Sequence, residues 1–379
     1  PIMTVSGAYT VNSSEMVGGL GIQSEHIAFI SFVTSIGMAA FSPFFYLLVS
    51  VRRQKMMSLV GFSLLAVQSY ICANTDSLFI LALNSLVMGF VRQTLLMCNL
   101  FTLIKYGFGI EATRNVTPGN EPTDEAGWDA LDTEKKASQP IIYFFFMLLG
   151  QIGTWITAWF AYNYHWQMVY YAMLGAILVA LLITLLCMPY NPYPTKHSPL
   201  SFSKFGNVVV FCLMCCSFVY VTVYGKVYDW YDSPRICWAT AVCVLSALLF
   251  FYLEKTRRSP YFMLKAFKSR SIQGGILLFI GLMICNSSSM LVNIFVGVGM
   301  KTDQIQVAAL GNWVLLGYFI GLVTILILNN KGVHFKWFFA LGFILIAAAS
   351  LFMYFEVQTA GMLERMKWPI IIRSTGMML

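Results

Sequence analysis

The sequence predicts an all-α protein that crosses a lipid bilayer many times. Three observations carry this. Apolar runs long enough to span a membrane recur from one end of the chain to the other. Only 11% of the 379 residues are charged, against about 25% in an ordinary soluble domain. The basic residues also fall unevenly between alternate loops. A hydrocarbon core about 30 Å thick takes roughly 20 apolar residues of helix. Lipid offers the backbone no hydrogen-bond partner, so each crossing is expected to be helical.

Complete spans are expected near 27–49, 57–74, 78–104, 140–161, 168–188, 206–225, 235–253, 272–297, 305–328 and 335–355. Partial spans are expected at 1–20 and from 368 to the end, so the chain reads as a fragment with part of a helix missing at each end. When the loops are assigned alternately to two sides, one side holds seventeen Lys and Arg, from Arg52 to Lys336. The other holds five, namely Lys226, Arg235, Lys301, Arg365 and Lys367. The positive-inside rule makes the first side cytoplasmic. The formal net charge of +8 is thus accounted for by topology, with no call on nucleic acid.

Two connections stand apart from the short loops. Residues 108–139 hold seven acidic and three basic residues. That composition suits a solvated cytoplasmic segment, with a short helix expected around Glu125–Leu131. Residues 253–271, "LEKTRRSPYFMLKAFKSRS", read as an amphipathic stretch on the inner leaflet. Its Tyr261, Phe262, Leu264 and Phe267 would enter the interface while the cations meet anionic headgroups.

The candidate site starts from Arg92, which stands near the middle of an apolar run where a guanidinium costs about 2.5–3.5 kcal/mol on translocon scales. Ser85, Gly89, Arg92 and Asn99 follow at helical spacing, so they form one small and polar stripe facing the protein. Arg92 either lines a central cavity or locks helices together by holding carbonyls or a buried acid. Glu15 is the acidic residue that falls inside a span. It is either a proton-carrying carboxylate or a group in contact with water at its helix end. Asn286 and Asn293, in "CNSSSMLVN", could line a pathway or bond to neighbouring helices. Trp155 and Trp159, one turn apart, could form an aromatic wall for a flat ligand or serve as packing.

No catalytic set is legible. The sequence has no G-x-x-x-x-G-K-[ST] phosphate loop, its four histidines lie at loops or helix ends, and its nine cysteines fall within apolar runs. No cofactor, metal or disulfide framework is expected.

Three stretches resemble the major facilitator superfamily, and within it the fourteen-helix drug:proton antiporters. In "VYGKVYDWYDSPRICW" and the segment that follows, Gly225, Trp230, Glu254, Arg257, Pro260, Leu264 and Phe267 are similar to the region around that subgroup's two additional central helices. "GQIGTWITAWFAYNYHWQMVYY" looks like the fifth helix and its turn into the sixth. "VSVRRQK" (49–55) and "NNKGVHFK" (329–336) occupy the two basic hairpin loops. The chain departs from the family where Ser50 and Arg53 replace an acid and a glycine, where Ser85 stands at an arginine, and where Gln151 stands at a proline. The resemblance implies two six-helix bundles with two extra helices between them. It assigns 1–188 to the first bundle, 189–253 to a linker and the extra helices, 254–271 to the interfacial segment and 272–379 to the start of the second bundle. It further implies a proton-coupled exporter of amphiphilic compounds in a bacterial inner membrane. The partners implied are a small-molecule substrate, the proton gradient, the lipid bilayer, a periplasmic adaptor and an outer-membrane channel. Rival readings are a transporter of a small anionic solute on the same fold and a non-transporting sensor or scaffold.

Overall fold

The computed structural model describes the backbone of residues 2, 4–8, 13–44, 54–102, 125–188, 203–256, 267–294, 296, 304–358 and 364–379. It describes their side chains except at 13–15, 20, 44, 101–102, 125–139, 203–204, 286–294, 304, 335 and 357–358. Among the described residues thirteen α-helices follow in order: α1 (Ser13–Leu20), α2 (Ser24–Phe41), α3 (Gln54–Asn74), α4 (Leu78–Thr102), α5 (Glu125–Asn163), α6 (Trp166–Cys187), α7 (Ser203–Tyr224), α8 (Pro234–Thr256), α9 (Arg270–Ile294), α10 (Gln304–Gly311), α11 (Trp313–Asn330), α12 (Phe335–Gln358) and α13 (Lys367–Met378). Among the described residues there is no strand, and nine spans are long and apolar enough to cross a bilayer. The chain is a multi-pass membrane protein by the length and composition of its helices. Helix α9 covers most of the expected span at 272–297, which is not among those nine. The short helix expected at Glu125–Leu131 is the first part of α5, which runs on without a break into the span that follows.

Among the described residues of the expected partial span at 1–20, Ser13–Leu20 is helical, whereas Thr4–Ala8 is irregular backbone with a turn and bends. The physical reason lies in how its carbonyls are satisfied, described below. The basic hairpin loop before Gln54 and most of the interfacial segment 254–271 lie outside the described residues.

The helices gather into two compact units, one of Pro1–Phe101 with Asn163–Ile272 and one of Thr102–Tyr162 with Gln273–Leu379. In the first, α3 packs against α6, α7 against α8, and α2 against α7. Ile36 and Ala40 of α2 meet Val208 and Cys212 of α7 and Phe250 of α8 in one buried cluster. Cys212 there serves as a small apolar core residue. Helices α2 and α4 touch at their backbones. A Cβ on Gly37 would stand 2.3 Å from the Leu86 carbonyl oxygen, and one on Gly89 would stand 2.2 Å from that of Thr34. In the second unit α13 packs against α11 and α12.

Large apolar side chains cover the outside. Trp238 is 74% exposed and Leu277 75%, an arrangement suited to lipid and unsuited to water. Hydroxyl groups within the spans are satisfied on their own helix. Thr34 donates to the Ile30 carbonyl, Thr94 to Phe90 and Thr184 to Ala180, the four-residue back-bond common in apolar surroundings.

Candidate functional site

The site is built around the stretch that is not helical. Val5 and Ala8 are buried, and Gly7 is buried between them. Backbone carbonyls at such a place have neither helix amides nor water to bond, and side chains must supply the donors. Two residues do so. Arg92 on α4 donates from Nη1 to the Val5 carbonyl oxygen at 2.8 Å. Tyr170 on α6 donates its hydroxyl to the Gly7 carbonyl oxygen at 2.8 Å. The Thr4 hydroxyl bonds to Met173 Sδ at 3.4 Å.

Each donor is held by its own helix. Tyr170 is fully buried, sits edge-on to Trp166 with ring centroids 6.1 Å apart, and accepts at its backbone carbonyl from Ser69 of α3 at 3.0 Å. Arg92 stands fourteen residues into a 25-residue helix, about 21 Å along its axis at 1.5 Å per residue. It therefore lies near the middle of the bilayer. Gly7 is required where it stands, because a Cβ there would come 1.6 Å from Ser85 Oγ.

The stripe expected on α4 faces the protein, as its spacing indicates. Ser85 is fully buried beneath Gly7, and its hydroxyl bonds to the Leu81 carbonyl of its own helix at 2.6 Å. Gly89 faces α2, and Arg92 reaches Val5. Asn99 turns to its own helix, donating to the Leu95 carbonyl at 2.7 Å. Trp155 and Trp159 belong to the second unit. They are 42% and 39% exposed, and Trp159 meets the Phe160 ring edge-on at 5.1 Å. Glu15, Asn286 and Asn293 lie on α1 and α9, with side chains outside those described. The structure thus brings Arg92 and Ser85 together at the unwound stretch. Tyr170 and Ser69, which complete the arrangement, carry no sequence signal that separates them from other core residues.

The second unit holds a similar device that the spacing of polar residues did not reveal. Arg373 of α13 donates from Nη2 to the Cys285 carbonyl oxygen of α9 at 3.1 Å. A shift of 281 residues carries Arg92 onto Arg373, Lys55 onto Lys336 and Gly61 onto Gly342. It also carries the first residue of α3, Gln54, onto the first residue of α12, Phe335. The contacts follow. A Cβ on Gly61 would meet Leu95 at 2.8 Å, and a Cβ on Gly342 would meet Gly376, the residue at the shifted position, also at 2.8 Å. Each unit therefore has a hairpin helix lying tight against a helix whose arginine holds a backbone carbonyl elsewhere in the same unit.

No family model matches the chain, and no curated protein is significantly similar to it.

Two further contacts give physical sense to residues singled out in the sequence. Lys55 Nζ bonds to the Leu185 carbonyl at 2.8 Å, placing a cation on the C-terminal turn of α6, where the helix dipole favours one. Gly225 and Trp230 touch, since a Cβ on Gly225 would stand 2.7 Å from the indole ring.

Proposed function

We propose that this chain is a secondary transporter on a major-facilitator-like fold, exporting drug-like or amphiphilic compounds by alternating access coupled to protons. The observation that carries the reading is the 281-residue correspondence between the two units. Transporters of this kind are built from repeated bundles with a substrate site near the midplane, flanked by interrupted helices. An unwound stretch at Thr4–Ala8, held by a midplane arginine, is the kind of irregular backbone that such sites use. The bacterial inner membrane and the adaptor and channel partners come with the resemblance. Glu15 is the proposed proton carrier.

A half-buried arginine at midplane depth supports a second reading, in which the solute is a small anion attracted to Arg92. Proteoliposomes loaded with a fluorescent lipophilic cation or with a labelled organic anion separate the two. Cation flux that follows the pH gradient and vanishes when the gradient is dissipated fits export. Anion flux alone fits the second reading. No flux of either argues for a sensor or scaffold.

A further inference from the structure

The first unit contains a pocket that plays no part in the site above. It has a volume of about 240 Å³ and is lined by His26, Phe29, Phe79, Tyr220, Tyr224 and Tyr228, among others. It lies where α2 and α4 begin and α7 ends, so it sits at headgroup depth, on the membrane face poor in Lys and Arg. A pocket for a drug-sized ligand usually measures about 300–1,000 Å³, so this one suits something smaller.

One side of it is a cluster of aromatic rings packed on one another. The Tyr220 and Tyr224 rings are 4.7 Å apart, and Tyr224 and Tyr228 stack at 5.9 Å. Phe29 meets Tyr220 at 5.9 Å and Tyr224 at 5.7 Å. His26 Nδ1 is hydrogen-bonded to the Tyr224 hydroxyl. Rings so placed attract a cation through their quadrupoles, and one of them already does so. The Arg235 guanidinium lies 5.4 Å from the Tyr228 ring centroid.

Charge at the rim has both signs. Arg235 is exposed beside Tyr228, and Glu25 precedes His26 on the same turn. The turn that presents Tyr228 and Arg235 is shaped by two successive non-glycine residues with positive φ, Asp229 at 51° and Trp230 at 53°. Such strain persists only where its surroundings hold it. Here the Trp230 amide bonds to the Gly225 carbonyl at 2.7 Å while its indole rests on Gly225. The rings are therefore positioned before any ligand arrives.

We propose that this pocket binds the headgroup of a zwitterionic phospholipid, with the ammonium in the pocket against the tyrosine rings that line it and the phosphate on Arg235. Phosphatidylglycerol lacks the ammonium that the rings favour, and a lone cation would meet the repulsion of Arg235. The acyl chains would run down the exposed apolar side of α4, where Phe79 is 77% exposed.

The test is native mass spectrometry of the full chain in detergent, titrated with phosphatidylcholine, phosphatidylglycerol of matched chains, and free phosphocholine. Phosphatidylcholine should be retained at least about fivefold more than phosphatidylglycerol, the ratio expected from one cation–π interaction of about 1 kcal/mol. Arg235→Gln and Tyr228→Leu should each remove that preference, and Tyr228→Phe, which keeps the ring, should retain it. Thermal unfolding of each variant verifies that the fold is intact. Equal retention of the two lipids, or a preference unchanged in both Arg235→Gln and Tyr228→Leu, overturns the proposal. Phosphocholine bound as tightly as the lipid would assign the pocket to a soluble ligand and overturn it equally.

Discussion

Replacing Arg92 with leucine should loosen the stretch at Thr4–Ala8 without preventing membrane insertion. The substitution deletes the donor to the Val5 carbonyl, a contact of 2.8 Å at a residue with no exposed surface. A hydrogen bond from a charged donor contributes about 1.5–3 kcal/mol, and the abandoned carbonyl bears the desolvation cost. For a domain of about 150–250 residues, each kcal/mol moves the unfolding midpoint by about 2–4 °C, so Arg92→Leu should lower it by about 3–12 °C. Leucine is also cheaper than arginine at midplane depth, so membrane insertion and yield should not fall. The loss should be local. Amides at 4–8 should exchange with solvent faster by roughly ten- to a hundredfold, since each 1.4 kcal/mol is tenfold, while α12 and α13 keep their protection. Tyr170→Phe removes the partner bond to Gly7 and should open the same stretch. Because both bonds hold one segment, the double variant should lose less than the sum of the singles. An unchanged midpoint with unchanged exchange at 4–8 would refute the assignment of Arg92 as the clamp of this segment.

Other outcomes follow from the same geometry. Gly37→Ala should push α2 from α4, because its Cβ would stand 2.3 Å from a backbone oxygen. A cost of about 1–3 kcal/mol should appear as a lower thermal midpoint, and wild-type stability would contradict the close approach. Arg373→Leu should reproduce in the second unit the local loss seen with Arg92→Leu, read by exchange at 284–286; protection unchanged there would break the correspondence between units. Single cysteines placed at 51–56, 105–139 or 253–271 in a background without native cysteines should resist an impermeant thiol reagent in spheroplasts. Labelling of all three from outside would reverse the topology. Glu15→Gln should abolish gradient-driven transport while leaving substrate binding measurable, and normal flux would remove Glu15 from the mechanism.

The helices were legible because the membrane imposes a length and a composition that any apolar run reveals. The direction of the α4 stripe was legible too, since Ser85, Gly89 and Arg92 repeat at helical spacing. What Arg92 reaches was not. Its acceptor is a backbone carbonyl 87 residues away, and a carbonyl has no letter in the sequence. The unwinding at Thr4–Ala8 was hidden for the same reason, because its stability comes from the side chains of Arg92 and Tyr170 rather than from local residues. Arg373 was not legible because no polar stripe like that of α4 accompanies it. The signal that finds it is the shift of 281 residues that aligns Gly61 with Gly342 and Lys55 with Lys336.

The proposed exchange of solute for protons is tested most directly by proton flux driven by solute alone. The purified chain would be reconstituted in liposomes holding a pH-sensitive dye, with equal pH on both sides and a gradient of an amphiphilic cation imposed. Antiport predicts a pH change inside the liposomes as solute and protons exchange, absent from protein-free liposomes and from Glu15→Gln. Solute that crosses through the protein with no accompanying pH change would contradict proton coupling, and no protein-dependent movement of either would contradict transport itself.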